Sequence, residues 1–209
     1  MTQIKALPLT AAGFAAFGQV FEAAGGAASA NQGRAEHFDM PLELASADDR
    51  ASRLCTAIYR IRNSALPFAV SMVERHPLSP QLFYPNSGDR FLVCACPAVD
   101  GGEPDLTALR AFIGRRAQGF VWRAGTWHSP LAALGADGDF LMQMWQCDGP
   151  LDCEERALVT PISVADCGNR ERKPFDSGDL GLRSRQYAEI DRRWTDAGGR
   201  EPVASVASK

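Results

Sequence analysis

Short apolar runs recur along the chain from about residue 54 to residue 146, and most are bounded by Gly, Pro, Asp or Asn. Runs of this length with such boundaries predict β-strands. Many short strands with few helices favour a β-barrel or a β-sandwich. The predicted strands are residues 54–61, 68–76, 81–84, 91–96, 119–122 and 140–146.

Two segments predict helices instead. Residues 11–17 follow Thr10, a favourable N-cap, and place Phe14 and Phe17 on one face. This stretch is too short and too interrupted for a signal peptide, so we expect a cytoplasmic protein. Residues 105–115 carry four large apolar side chains at the spacing of the buried face of a helix.

The composition of the chain changes near residue 160, after which large apolar residues become sparse. We therefore predict one domain over residues 1–160 and an arm over residues 161–209 that lies on the barrel or on a partner chain. Residues 183–197 predict one helix in this arm, carrying Tyr187, Ile190 and Trp194.

Composition excludes several function classes. A net charge of −3 with mixed signs argues against a nucleic-acid partner. No run of about 18 apolar residues predicts a membrane span. The six cysteines form no C-x-x-C pair, and we expect small buried residues in a reducing compartment rather than a disulfide framework. Cys94 and Cys96 alternate, so they should share one face of a strand.

Two distant segments carry the candidate chemistry. In the first, Glu74 and His76 stand at positions i and i+2, so a regular strand directs both side chains to one face, and Gln81 follows. In the second, His128 comes three residues after Gly125. This arrangement is similar to the two half-sites of a cupin, and it predicts a mainly β fold, a cupin-like β-barrel with a few peripheral helices.

The residue types leave two uses of this pocket open. Two imidazoles and a carboxylate make a plausible open site for a divalent metal, whereas Gln81 is a weak ligand. A metal-free pocket that uses the same groups for hydrogen bonding and proton transfer is the alternative. Arg75 lies between Glu74 and His76 and should therefore point to the far side of the strand, as an ion-pair partner.

A turn-forming loop supplies the candidate substrate contacts. Asn31, Gln32 and Arg34 offer amide and guanidinium donors, and the planar fork of Arg34 suits a carboxylate. His37 follows the same loop and is a further candidate for the pocket.

Together these segments resemble the ureidoglycolate lyase family, also called ureidoglycolate hydrolase. The resemblance is carried by Glu-Arg-His-Pro-Leu at residues 74–78 and Gly-Thr-Trp-His at residues 125–128. Further matches, in the family's order, lie at residues 7–10, 14–18, 31–33, 104–105, 110–112, 118–119, 130–131 and 139–141. The resemblance implies a homodimeric carbon–nitrogen lyase of allantoin breakdown that splits ureidoglycolate into glyoxylate and urea.

The resemblance also implies roles for the pocket residues. A base takes the proton of the substrate hydroxyl, and an acid protonates the leaving urea nitrogen. Histidine, with an ordinary pKa of about 6.5, suits both tasks. The implied catalytic residues are His76, His128 and Glu74. The implied substrate-binding residues are Asn31, Gln32, Arg34, Gln81 and Ser129. If a nickel or similar divalent ion is bound, Glu74, His76, Gln81 and His128 are its implied ligands.

The chain departs from the family pattern at two places. Ser129 stands where the family has a second histidine, and Met-Gln-Met-Trp at residues 142–145 replaces Val-Val-Asp-Arg. The substrate is therefore ureidoglycolate or a closely related ureido or hydroxy acid. A non-catalytic cupin that binds a small acid, as a sensor or a store, is the alternative.

Overall fold

The structure, a computed structural model, describes residues 2–147 and 149–167. The helices there are the α-helix α1 (Ala11–Phe14) and 3-10 turns at Asn31–Gly33, Leu106–Ala108 and Pro150–Asp152. The strands are β1 (Gln3–Pro8), β2 (Gly18–Phe21), β3 (Ala28–Ala30), β4 (Ala35–His37), β5 (Arg53–Ile61), β6 (Asn63–Ser64), β7 (Phe68–Arg75), β8 (Gln81–Pro85), β9 (Arg90–Cys96), β10 (Arg110–Arg115), β11 (Gly119–Trp122), β12 (Trp127–His128), β13 (Ala132–Leu134), β14 (Gly138–Gln146) and β15 (Glu154–Ala165).

Six of these strands close into a barrel. They pair in the order β10, β1, β15, β7, β12 and β9, and β9 pairs with β10 to complete the ring. Closure leaves no open edge within the ring. The barrel interior is filled by small and medium apolar side chains, among them Val73, Leu92, Ala111 and Val164, with Trp127 as the largest.

A five-stranded sheet in the order β2, β11, β8, β14 and β5 covers one side of this barrel. Strand β9 is buried on both faces as a result. Cys94 and Cys96 point into the barrel, as predicted, whereas Phe91 and Val93 join an aromatic cluster shared with the five-stranded sheet. The predicted mainly β, cupin-like barrel with few helices is confirmed.

All six strands predicted from the sequence are present as β5, β7, β8, β9, β11 and β14, with small differences at their ends. The N-terminal helix is also present but shorter than predicted, at Ala11–Phe14. Its N-cap is Thr10, whose hydroxyl accepts a hydrogen bond from the Gly13 amide at 3.1 Å. Phe14 and Phe17 both reach the aromatic cluster.

The helix predicted over residues 105–115 is wrong. A single 3-10 turn is followed by β10, which pairs with both β9 and β1. Ala111 points into the barrel and Phe112 into the aromatic cluster. A strand buried on both faces is apolar at consecutive positions, so its sequence can imitate the spacing of a helix.

The predicted arm falls largely outside the described residues. Strand β15 runs through residue 160 to Ala165, paired with β7 and β1. The helix predicted over residues 183–197 lies outside the described part of the chain. Among the residues that are described, no helix is long and apolar enough to cross a membrane.

Candidate active site

A carboxylate and two imidazoles meet on the face of β7 and β12 that looks toward the five-stranded sheet. His128 lies directly across from Glu74 in the antiparallel pairing of β12 with β7. The His128 Nε2 is 3.7 Å from a carboxylate oxygen of Glu74. The His76 and His128 rings are 5.7 Å apart, and one ligand atom from each of the three residues lies within 4.8 Å of the others.

Both imidazoles are fixed by backbone carbonyls. The Nδ1 of His128 is 2.8 Å from the carbonyl oxygen of Thr126, and the Nδ1 of His76 is 2.8 Å from that of Asp152. Because a carbonyl oxygen only accepts, each Nδ1 carries the hydrogen. Each neutral ring therefore keeps its lone pair on Nε2, and both Nε2 atoms are available to a proton or a ligand.

A tight turn ties the two histidine segments together. The Gly125 amide donates to the carbonyl of His76 at 2.8 Å, and the Thr126 amide donates to the carbonyl of Arg123 at 3.1 Å. Gly125 has φ +76°, the left-handed value that the third position of a type II turn requires and that glycine adopts without strain. This turn sets the Thr126 carbonyl that orients His128.

The opposite wall of the site comes from the five-stranded sheet. Trp122 stacks on His128 with ring centroids 4.6 Å apart and planes 16° from parallel. Gln81 is paired with Trp122 on one side and with Met144 on the other. The Gln81 amide nitrogen donates only to the Met144 sulfur, at 3.6 Å, and its buried oxygen has no partner among the described residues.

The environment keeps His128 neutral. Its side chain is almost fully buried, and burial lowers its pKa to about 3 against the weaker effect of the hydrogen bond to Thr126. Burial also raises the pKa of Glu74; nearby His76 opposes this shift and Glu155 adds to it. His128 therefore offers a lone pair at neutral pH, and Glu74 holds a proton more readily than an ordinary carboxylate.

The predicted substrate-binding loop is not brought to this site within the described chain. Asn31, Gln32 and Arg34 lie at the exposed tip of the hairpin β3–β4. Among residues 2–147 and 149–167, the Arg34 guanidinium hydrogen-bonds only to the Asn31 carbonyl and the Gln32 side chain. His37 is exposed on the same hairpin, 3.4 Å from Asp39.

Ser129 turns away from the histidines. Its amide donates to the carbonyl of Cys94 at 2.9 Å, and its hydroxyl lies beside the Cys94 thiol, which belongs to the barrel interior. Arg75 also faces away from Glu74, as predicted, and forms an ion pair with Glu154 at 3.0 Å.

Sequence reasoning missed four residues of this neighbourhood: Trp122, Tyr59, Cys153 and Glu155. Cys153 and Glu155 repeat the i, i+2 spacing of Glu74 and His76, and that alternation was the available signal. Nothing in the sequence indicated that β15 would pair with β7.

A separate surface cavity of about 290 Å³ is lined in part by the turn at Gly125. Cys96, Arg110 and Thr126 are among its lining residues. It brings together neither a histidine nor a carboxylate, so it is a weaker candidate than the His76–His128 site.

A cupin-like barrel that gathers two oriented imidazoles and a carboxylate defines a class of small-molecule enzyme. The profile of one family, described as ureidoglycolate lyase, matches residues 1–165. The chain belongs to the ureidoglycolate lyase family.

Relatives of this chain carry the same name as the family. A ureidoglycolate lyase from Chelativorans sp. (strain BNC1) is 38% identical over 143 residues, which is 68% of this chain and 84% of the relative. Another, from Rhizobium etli (strain CIAT 652), is 38% identical over 159 residues, 75% of this chain and 92% of the relative. A solved dTDP sugar isomerase from Desulfovibrio desulfuricans G20 is 15% identical with a TM-score of 0.40, over 67% of this chain and 82% of the isomerase.

Proposed function

We propose that this protein is a carbon–nitrogen lyase that splits ureidoglycolate into glyoxylate and urea, as a step of allantoin breakdown. One observation carries the proposal beyond the family match. The buried Nε2 of His128 has no hydrogen-bond partner among the described residues and lies 3.7 Å from Glu74. A buried lone pair beside a carboxylate with a raised pKa is a base placed next to an acid.

The first proton transfer uses His128. Its Nδ1 hydrogen is held by the Thr126 carbonyl, so Nε2 is the atom that accepts a proton. The substrate hydroxyl donates to this nitrogen, and the carbon–oxygen bond becomes the aldehyde carbonyl of glyoxylate. Because burial disfavours the imidazolium, His128 is a weak base that holds the proton only transiently and passes it on readily.

The second transfer uses Glu74. The bond between the carbinol carbon and the urea nitrogen breaks, and its electron pair stays on the nitrogen. A protonated Glu74 carboxyl neutralises that nitrogen, and the proton lost by Glu74 is replaced by the one taken up at His128. His76, fixed by Asp152, favours the charged form of Glu74 after the transfer.

The remaining predicted residues bind the substrate. Arg34 stays a prediction for the substrate carboxylate, because its guanidinium lies at the exposed hairpin tip and its hydrogen bonds among the described residues stay within that hairpin. The side-chain oxygen of Gln81 is buried without a partner, and it is suited to accept from a urea N–H group. Asn31, Gln32 and Ser129 stay predictions for the same role.

The site also fits a divalent metal. Glu74, His76 and His128 would hold it through one carboxylate oxygen and two Nε2 atoms, with Gln81 as the predicted fourth ligand. Both Nδ1–H groups donate to carbonyls, the outer contact that metal-bound histidines usually make. A bound ion would supply Lewis acidity toward the substrate oxygens.

The family departure at residues 142–145 bears on the choice of substrate. Met144 stands where the family has an aspartate, and it contacts Gln81. The buried thioether removes a charge from the wall of the site, so a less polar ureido or hydroxy acid is the related substrate to assay beside ureidoglycolate.

We also propose that the protein is a cytoplasmic homodimer. The outer face of the five-stranded sheet carries an apolar row, in which Ile58 pairs with Leu141 and Leu141 with Tyr84. Ile58 is 56% exposed, and the stacked rings of Tyr84 and Phe21 continue the row. Exposed apolar rows of this kind favour an interface. Light scattering should give twice the chain mass, and Ile58→Lys should give the monomer.

The test of the lyase proposal is product release. The full chain should release urea and glyoxylate in equal amounts from ureidoglycolate, and His128→Ala should abolish that release. His37→Ala, which removes an exposed histidine of the hairpin, is the matched control and should leave turnover unchanged. A wild-type chain that binds ureidoglycolate without releasing either product would overturn the proposal and support the non-catalytic binding protein.

A further inference from the structure

A second group of ligand atoms adjoins the site through Glu74. One ligand atom each from Glu74, Cys153 and Glu155 lies within 4.8 Å of the others. We propose that these three side chains form a cation site for thiophilic divalent ions such as Zn²⁺ or Cd²⁺. The site is distinct from the histidine set, because its thiol and its second carboxylate do not belong to that set.

The strand register explains why the three side chains meet. Glu155 lies directly across from Glu74 in the antiparallel pairing of β15 with β7. Cys153, two residues earlier, points to the same face as Glu155. Continued by two residues, this register places Cys153 opposite His76. Glu154, between them, points to the other face and pairs with Arg75.

The charges in this group call for a cation. Two carboxylates directly across a strand pair repel each other. In the part of the chain that the structure describes, neither the Glu74 nor the Glu155 carboxylate pairs with a lysine or an arginine. Glu74 faces two imidazoles: the buried, unpartnered Nε2 of His128, which is held neutral, and His76, which favours the charged form of the carboxylate.

The thiol decides which cation fits. Sulfur ligands favour Zn²⁺ and Cd²⁺ over Mg²⁺ and Ca²⁺, which prefer oxygen. Binding forms a metal–sulfur bond and releases the thiol proton to solvent, with no change of oxidation state. Glu155 is exposed and Cys153 is half-buried, so the ion enters from the open side of the site.

The expected effect of the ion on catalysis rests on the proposed function, in which Glu74 protonates the urea nitrogen. A cation held by this carboxylate withdraws it from the transfer to the urea nitrogen. Thiophilic ions at this site should therefore inhibit the lyase, and loss of Cys153 should relieve the inhibition.

Titration of the metal-free full chain with Cd²⁺ tests the site without reference to activity. The ultraviolet charge-transfer band of a cadmium–thiolate bond should appear in the wild type and be lost in Cys153→Ser. Glu155→Gln should weaken the binding. Cys55→Ser, which removes another half-buried thiol, is the matched control and should keep the band. His128→Ala should also keep it, since His128 is outside the group.

A band that persists in Cys153→Ser, or that is absent from the wild type, would overturn the inference. A band kept in Cys153→Ser would come from another cysteine, because the histidine set contains no thiolate. If ureidoglycolate is not cleaved yet the band follows Cys153, the cation site stands and only the lyase proposal fails.

Discussion

Trp127 and His128 are neighbours on one two-residue strand, yet they lie in opposite kinds of environment. Trp127 points into the barrel and is fully buried, and its indole N–H donates to the carbonyl of Gly102 at 2.8 Å. Arg75 covers the indole ring at 4.7 Å and donates to the same carbonyl. Arg156 adds a second cation over the ring, and pairs with Glu103 at 2.7 Å.

The His128 side of the strand leaves polar groups without partners. His128 Nε2 and the Gln81 oxygen are buried and make no hydrogen bond among the described residues. Glu74 is half-buried and faces a second carboxylate, Glu155, across the strand pair. Each of these features costs stability in the absence of a ligand.

The contrast shows how one strand serves two purposes. Alternation sends consecutive side chains to opposite faces, so the barrel side is filled for stability while the other side presents groups to a substrate. Substitutions on the two faces should therefore change different measurements. Those facing the barrel should lower the free energy of unfolding, and those facing the five-stranded sheet should lower turnover.

Glu74→Gln should have a large effect on turnover, second only to the loss of His128. The amide cannot protonate the leaving nitrogen, so kcat should fall by about 10²- to 10⁴-fold. Glu103→Gln makes the same change on the Trp127 side and should leave kcat unchanged. Equal losses in both variants would show that the two faces are not separable.

The largest expected effect on stability is that of Trp127→Ala, which should cost about 3–5 kcal/mol in the free energy of unfolding. Its loss leaves a cavity in the barrel and removes one of the two hydrogen bonds that the Gly102 carbonyl accepts. Denaturant unfolding measures this cost. Trp127→Phe keeps most of the volume and should cost less, and a cost as large as that of alanine would argue against the cavity.

A smaller effect should appear in the pH dependence of stability. The pKa of His128 falls from 6.5 to about 3 on folding, so between these values the unfolded chain binds more protons. Above pH 6.5 His128 is neutral in both states and does not change the free energy of unfolding. As the pH falls below 6.5, the unfolded state gains a proton and the free energy of unfolding decreases, by at most about 1.4 kcal/mol per pH unit. His128→Leu should therefore lose less stability than the wild type on acidification. If the free energy of unfolding fell equally with pH in the two proteins, that result would contradict a buried neutral histidine.

Sequence patterns predicted the elements that alternate or have clear boundaries. The period of two that placed Glu74 with His76 depends only on local strand geometry, and β7 is present up to Arg75, one residue before His76. The helix predicted over residues 105–115 failed because β10 is buried on both faces, a fact of tertiary structure. The place of Cys153 at the site was not predicted for a similar reason. Its closeness to Glu74 depends on the pairing of β15 with β7, two strands far apart in the chain.

For the predicted substrate-binding loop, too, local patterns predicted the turn but not its position in the fold. The turn at Asn31 was predicted from residue types, and both Asn31 and Gln32 do adopt left-handed backbone angles, φ +50° and +60°. Where the hairpin lies depends on long-range contacts that no local pattern encodes. Arg34 therefore stays a prediction for the substrate carboxylate.

One pair of measurements on His128→Leu tests the division between the two faces most directly. Leucine replaces a buried imidazole whose Nε2 has no partner, so the free energy of unfolding at neutral pH should stay within about 1.5 kcal/mol of the wild type or rise. On the same preparation, urea release from ureidoglycolate should be lost. A stable variant that still releases urea at the wild-type rate would contradict the account.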